Sequence, residues 1–353
     1  MNPNRVKPRH ADAYRTRALT PVLTISDDGG GYYFKRPFLI AIGPDESLYV
    51  ADENQLLGFD AQGRFVRNYF RRGQGPGELS RVSGFAAIGG MLVVHNMYPS
   101  KIVRFGLDGK ILADFPVPAS GRSYRFRGAS GRTGCLIGWG MPDLQTVQGS
   151  EAILDQPNPI AAVDLEGGGL KTWSSFPTRV FVQKAEKGGG AMIPMGKIYT
   201  AMDGKYLAVS HTDEYAIKIL DLETGSLIRT ITRDYARVKI SPEDRRAMEG
   251  GPMIGNKVVQ PPIPKFAADI TGLFFHGHEI WAATSTRVAG KGALIDVFSL
   301  DGTYLDCFYL QLPAPPDRNV EQPDPQVIQG DILASIERSA DDAYVVRKYR
   351  IGK

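Results

Sequence analysis

Four stretches of the chain repeat one order of strands and turns, and this repeat limits the fold more than any other feature. They read FLIAIGPDESLYVADENQLLGFDAQGRFVRNYF, GFAAIGGMLVVHNMYPSKIVRFGLDGKILADFPV, KIYTAMDGKYLAVSHTDEYAIKILDLETGSLIRTI and DITGLFFHGHEIWAATSTRVAGKGALIDVFSLDGTYLDCFYL. In each, an apolar strand meets a tight turn (GPDES, GG, DG or HGH) and a second strand follows (LYVA, LVVH, LAVS, IWAA). A polar loop leads to a third strand that ends at Asp60, Asp108, Asp221 or Asp301, and a glycine turn opens the fourth. Short β-rich runs punctuated by Asp/Gly turns are hairpin signals, and four antiparallel strands per unit describe propeller blades. A fifth unit, SYRFRGASGRTGCLIGWG followed by PIAAVDLEGGGLKTWSSF, fits with more irregularity. The C-terminal QVIQGDILASIERSADDAYVVRKYRI supplies three strands, and RALTPVLTIS near the N-terminus is expected to supply the fourth. That exchange would latch the ring and cover exposed sheet edges. The expected fold is therefore an all-β, six-bladed β-propeller of four-stranded blades, closed by the N-terminal strand. Residues 18–353 are expected to form one domain, and residues 1–17 a polar extension.

Bulk properties narrow the function classes. Apolar residues make up 42% of the chain, enough for a real core, and the 40 glycines and 24 prolines are spread as punctuation rather than clustered. A net charge of +4 favours anionic partners only mildly. No basic run interleaves with aromatics, so nucleic acid is not an expected partner. No apolar stretch reaches the ~18 residues of a membrane span, and the N-terminal MNPNRVKPRHADAYRTR lacks the apolar segment of a signal peptide. Two cysteines, Cys135 and Cys307, cannot make a disulfide framework.

The glycine-rich stretch RRGQGPGELS, from Arg71 to Ser80, invites a phosphate-loop reading that its details refuse. Gly77 is followed by Glu78 and Leu79, where a P-loop needs Lys and Ser/Thr. A dinucleotide fingerprint would open a helix, whereas strands follow here. The stretch reads instead as the crossover from blade one to blade two, with glycines for unusual backbone angles and Pro76 to stiffen the turn.

Strand order assigns every loop to a face. Second-to-third-strand loops and blade crossovers share an upper face, and the remaining turns share a lower one. The long segments are all upper: GWGMPDLQTVQGSEAILDQPN, TRVFVQKAEKGGGAMIPM and ITRDYARVKISPEDRRAMEGGPMIGNKVVQPPIPKF. Long loops on a rigid scaffold are where binding concentrates. Within the last, SPEDRRAMEG predicts a short helix capped by Ser241, with Pro242 first and Gly250 as stop. Polar residues converge on the same face: Asp52 and Asn54, His95 and Asn96, Trp139, His211 and Asp213, Arg287, Glu337 and Arg338 follow second strands. Arg36, Arg72, Arg81, Arg125 and Arg127 lie on crossovers and inner strands. Arg72, Arg81, Arg125, Arg127, Trp139, Asn96 and Arg338 form the expected ligand set, for a small anion or an acidic peptide or protein, since an arginine fork matches carboxylate and phosphate. Arg125 and Arg127, on an inner strand, alternatively pair with acids of neighbouring blades. No cofactor is required by any motif. His95 and His211 with Asp52 or Glu337 nonetheless have donor types suited to zinc, against the plain alternative that each is hydrogen-bonded. His276 and His278 in HGHE belong to a lower-face turn and are read as structural.

LYVADENQLLGFDAQGRFVRNY resembles an NHL-type repeat. GQGPGEL, PPIPKFAADITGLFFHGHEIWAA and the ending VVRKYRI resemble segments of the bacterial TolB-like, NHL-related six-bladed propeller family. The resemblance spans about Ala18 to Ile351 and implies the propeller fold. It also implies an exported protein, periplasmic or extracellular, whose signal has been removed. Two function classes follow. One is a non-enzymatic binding or scaffold module using its upper face. The other is a metal-dependent hydrolase or lyase of the NHL or lactonase kind, whose calcium ligands of Glu, Asn and Asp type have candidates in Asp52, Asn54, Asn96 and Glu337.

Overall fold

The computed structural model describes residues 13–27, 29, 31–118, 123–184, 190–249, 253–254, 257–314 and 325–352. Sheet one comprises Leu39–Ile42, Leu48–Asp52, Gln55–Phe59 and Phe65–Asn68, and sheet two Val82–Ile88, Met91–Asn96, Lys101–Gly106 and Ile111–Pro116. Sheet three comprises Ser123–Ser130, Thr133–Trp139, Pro159–Asp164 and Leu170–Ser175, and sheet four Tyr199–Asp203, Tyr206–Ser210, Ala216–Asp221 and Leu227–Thr232. Sheet five comprises Ile270–His276, Glu279–Val288, Gly292–Ser299 and Tyr304–Leu310. Sheet six has Gln326–Gln329, Ile332–Arg338 and Tyr344–Ile351, with Leu19–Ile25 as its outer strand. The inner strands lie side by side in the order of the sheets, and that of sheet six lies again beside that of sheet one. The protein is an all-β, six-bladed β-propeller.

Burial on both faces explains why second strands are continuous apolar runs. Side chains alternate across a strand, and here each side meets a neighbouring sheet. Leu92 and Val94 pack with Leu56 and Leu79 toward sheet one, while Val93 packs with Tyr124 and Leu136 of sheet three. Leu48 and Val50 likewise face sheet six, and Ala51 faces sheet two. Each pair of adjacent sheets thus shares its own core.

The repeated Asp/Gly pair is a turn device. Asp60, Asp108, Asp164, Asp221 and Asp301 each accept a backbone N–H two residues on through Oδ1. The following Gly63, Gly109, Gly168, Gly225 and Gly302 all have φ between 73 and 84°, a region that favours glycine. At Gly225 a side chain is doubly excluded, since a Cβ would stand 2.1 Å from the Trp173 ring of sheet three.

The N-terminal strand pairs antiparallel with the last strand of the chain, Leu19 opposite Ile351 and Ile25 opposite Val346, with Pro21 tolerated on this outer edge. The three residues before it add a feature absent from the sequence reading. Arg15–Arg17 pair in parallel with Phe308–Leu310 as a fifth strand on sheet five. Arg15 bonds Asp306 at 2.9 Å, and the Arg17 guanidinium lies 4.2 Å from the Phe308 ring. One stretch of chain therefore straps the outer edges of sheets five and six. Between sheets six and one, the fully buried Lys348 ammonium donates to the Ala61 and Glu46 carbonyls at 2.8 and 3.2 Å.

The predicted short helix forms over Pro242–Met248, with Ser241 Oγ accepting from Asp244 N. The expected stop, Gly250, lies outside the described residues. Among the described residues no helix is long and apolar enough to cross a membrane. Cys135 and Cys307 are buried free thiols.

Candidate functional site

The upper rim is organised by a clamp used twice. Asp52, ending the second strand of sheet one, accepts the backbone N–H groups of Lys35, Arg36 and Glu53 at 2.6–2.7 Å. Asn96, at the corresponding end in sheet two, accepts from Ser80 N and Arg81 N at 2.7 and 2.9 Å, and its Nδ2 donates to the Pro99 carbonyl. Both side chains are buried. Their oxygens are occupied in fixing the incoming crossover, so they reach a ligand only through the residues they hold in place.

Two of those residues are arginines, Arg36 and Arg81. Both are exposed, as are Arg71 and Arg72 on the crossover between them. No acid among the described residues forms an ion pair with any of the four. The nearby carboxylates are engaged otherwise: Asp52 by three amides, Glu53 by Lys35, and Glu78 by its own loop, where it accepts from Gly75 N at 2.8 Å. The glycine-rich stretch is a folded joint, as its sequence indicated. Gly77 N donates to Asp114 at 2.6 Å, and the buried Lys101 bridges Asp114 and the Gly75 carbonyl. Tyr33 and Tyr98, on the crossover into sheet one and the second-to-third loop of sheet two, are 56% and 54% exposed. Sheets one and two therefore present arginines and tyrosines on an anchored backbone.

Sheet three contributes a stacked pair. Tyr124 and Phe126 face the core shared with sheet two, so Arg125 between them faces the sheet-four side, while Arg127 falls at a bulge between Phe126 and Gly128. The Arg125 guanidinium lies 4.0 Å from the centroid of the Trp139 ring, which stays 39% exposed. Trp139 is fixed by glycines on both sides, because a Cβ on Gly138 would meet Tyr124 and Pro159 and one on Gly140 the Pro157 carbonyl. Arg338, on sheet six, stacks 3.6 Å over Tyr344 and donates to the Asp342 carbonyl.

The remaining candidates make local hydrogen bonds. His95 is buried between Ser83 Oγ, 2.5 Å from Nδ1, and Ser100 Oγ, 3.2 Å from Nε2. Phe126 N also donates to Ser83 Oγ. Burial pulls the His95 pKa down to about 4. Glu337 accepts from Ser335, Tyr349 and Arg347. His211 Nδ1 donates to the Pro177 carbonyl and Nε2 accepts from Lys218. His95, His211, Asp52 and Glu337 do not gather: no group of three or more His, Cys, Asp or Glu suited to a metal occurs among the described residues. His276 stacks on Trp281 at 4.2 Å and bonds Asp331 on the lower face.

The long upper segments join in a way the sequence did not show. Glu151–Gln156, from the sheet-three loop, pairs with Thr178–Lys184, which pairs with Gly190–Pro194, both from the next crossover. Val147 and Leu144 cover one face of this inserted sheet, and Val259 of the following crossover packs on the other. The alternation in EAILDQ and TRVFVQK was a usable strand signal, but its partners lie more than twenty residues apart.

Comparison with known proteins supports the fold. The model of a family described as a 6-bladed beta-propeller matches residues 39–133, the span of sheets one and two and the start of sheet three. None of the curated proteins matches the chain in sequence. Among solved structures, a protein from Bacteroides fragilis is similar at 12% identity and a TM-score of 0.50, covering 99% of this chain and 98% of the other. A DUF4221-family member from Bacteroides vulgatus has 13% identity, a TM-score of 0.49 and coverages of 96% and 99%. A Xanthomonas campestris gluconolactonase has 12% identity, a TM-score of 0.43 and coverages of 98% and 99%. At 12% identity the Bacteroides fragilis structure speaks to the fold alone, and the chain's function rests on its own residues.

Proposed function

We propose that this is a non-enzymatic binding propeller of the NHL-related kind, with residues 18–353 as one domain. Its upper face takes an anionic ligand over sheets one and two, either a small anion or an acidic peptide. One observation carries the reading: Arg36, Arg72 and Arg81 are exposed without an acid partner among the described residues, while Asp52 and Asn96 hold the Arg36 and Arg81 backbones rigid. An immobilised backbone lowers the ordering cost of binding, and guanidinium forks match carboxylate and phosphate. Tyr33 and Tyr98 add residue types that dominate binding hot spots. Arg125, Arg127, Trp139 and Arg338 extend the same face toward the later sheets.

The test is titration of citrate, galacturonate, inorganic phosphate and a glutamate hexamer into wild type and an Arg36→Ala/Arg81→Ala variant. Each lost charged contact costs roughly 1.5–3 kcal/mol, so the variant is expected to bind at least about a hundredfold more weakly, and wild-type binding to weaken with salt. Equal binding by both proteins would remove the arginines from the site. Stoichiometric zinc or calcium in the purified protein would turn the reading toward a metal-dependent hydrolase or lyase.

A further inference from the structure

Lys218 sits on the third strand of sheet four and turns inward toward sheet three. Its neighbours Ile217 and Ile219 are buried toward sheet five, so the lysine faces the opposite interface. There its ammonium lies 4.7 Å from the centroid of the Phe176 ring and donates to His211 Nε2 at 3.0 Å. His211 is placed to receive that bond, because its Nδ1–H is committed to the Pro177 carbonyl at 2.9 Å and its ring lies against Phe176. Burial, and then the charge of Lys218, disfavour protonation of the imidazole.

The arrangement differs from every fully buried lysine of the protein described. Lys101 reaches Asp114 at 2.8 Å, and Lys348 reaches Glu46 at 3.5 Å together with two carbonyls. Lys218 has no carboxylate partner among the described residues. Of the two acids on the loop that precedes it, Asp213 is taken by Arg179, and Glu214 forms no ion pair with Lys218 among the described residues. An ammonium has three N–H donors, and among the described residues one is used, by the His211 imidazole. A half-buried cation held against an aromatic face without a counter-charge is costly unless something supplies the charge.

We infer that Lys218, with His211 and Phe176 as walls, forms an oxyanion site for a carboxylate or phosphate group at the upper end of the interface between sheets three and four. The site is independent of the arginines over sheets one and two. It takes a single oxyanion on the two remaining N–H groups of Lys218, while His211 fixes the direction of the ammonium.

Acetate and inorganic phosphate are the probes, each titrated into the full chain while the imidazole nitrogen resonances are followed by NMR. The expected result is a saturable shift of the His211 signals by at least one anion, equal in wild type and in Arg36→Ala/Arg81→Ala. The response should weaken about tenfold or more in Lys218→Met, the loss of one charged contact. Response to acetate alone identifies a carboxylate site, and response to phosphate alone a phosphate site. His211 signals that stay unmoved by both anions, or that move equally in Lys218→Met, overturn the inference. Should Lys218→Met fail to fold, acylation of wild-type lysines read by mass spectrometry replaces it. Protection of Lys218 by the anion supports the site, and unchanged acylation overturns it.

Discussion

Buried His95 makes the stability of the protein depend on pH in a specific way. Its folded pKa lies near 4, because burial disfavours the imidazolium. In the unfolded chain it returns to about 6.5. The unfolded state therefore binds the proton more readily, and stability falls as pH drops through the window from about 6.5 to 4, then levels off. Integrating the linkage gives a loss of about 2 kcal/mol between pH 7 and pH 5, and about 3 kcal/mol by pH 4. His211, whose pKa is also lowered by burial, acts in the same direction to a smaller degree because it is half-exposed. The assay is urea unfolding of wild type and His95→Asn at pH 7 and pH 5. The variant loses packing and starts less stable, so the informative quantity is the difference in pH dependence. Wild type should lose about 2 kcal/mol more than the variant on acidification. Equal losses in the two proteins would show that His95 takes up its proton freely in the folded state and is not sealed between Ser83 and Ser100.

Deleting residues 1–26 removes the outer strand of sheet six and the added strand on sheet five, exposing both edges. Thermal denaturation should show a large drop in midpoint with aggregation, and an unchanged midpoint would mean the strap is dispensable. Gly225→Val forces a side chain into φ +74° and onto Trp173, so it should cost on the order of 2–4 kcal/mol from strain and overpacking together. Gly204→Ala, at φ +52° with open space around it, should cost only about 1 kcal/mol. Urea midpoints distinguish the two, and equal costs would place Trp173 away from the turn.

Local signals carried most of the fold. The Asp60–Gly63 turn and its four counterparts are legible because the acceptor and the amides it bonds are neighbours in sequence. Apolar runs such as LVV at residues 92–94 are legible because two neighbouring sheets bury both sides of the strand. The inserted sheet was not, since the pairing of Ala152 with Val182 spans a turn of the chain that also completes sheet three. The site was legible in type rather than in role. Asp52 and Asn96 are visible as acceptors at strand ends, but the crossover amides they hold, those of Lys35, Arg36, Ser80 and Arg81, lie 15 to 17 residues upstream. Lys218 looks in sequence like any lysine on a strand, and only the packing of Phe176 and His211 around it shows an uncompensated charge. Arg36 and Arg81 were visible as crossover cations, whereas the absence of an acid beside them appears only once Glu53 and Glu78 are seen to be engaged elsewhere.

A crystal structure of the protein with a bound glutamate hexamer tests the central claim most directly. Peptide carboxylates are expected within hydrogen-bond reach of the Arg36 and Arg81 guanidinium groups, on the upper face over sheets one and two. A hexamer seated on the lower face, or on the upper face without touching either arginine, would contradict it.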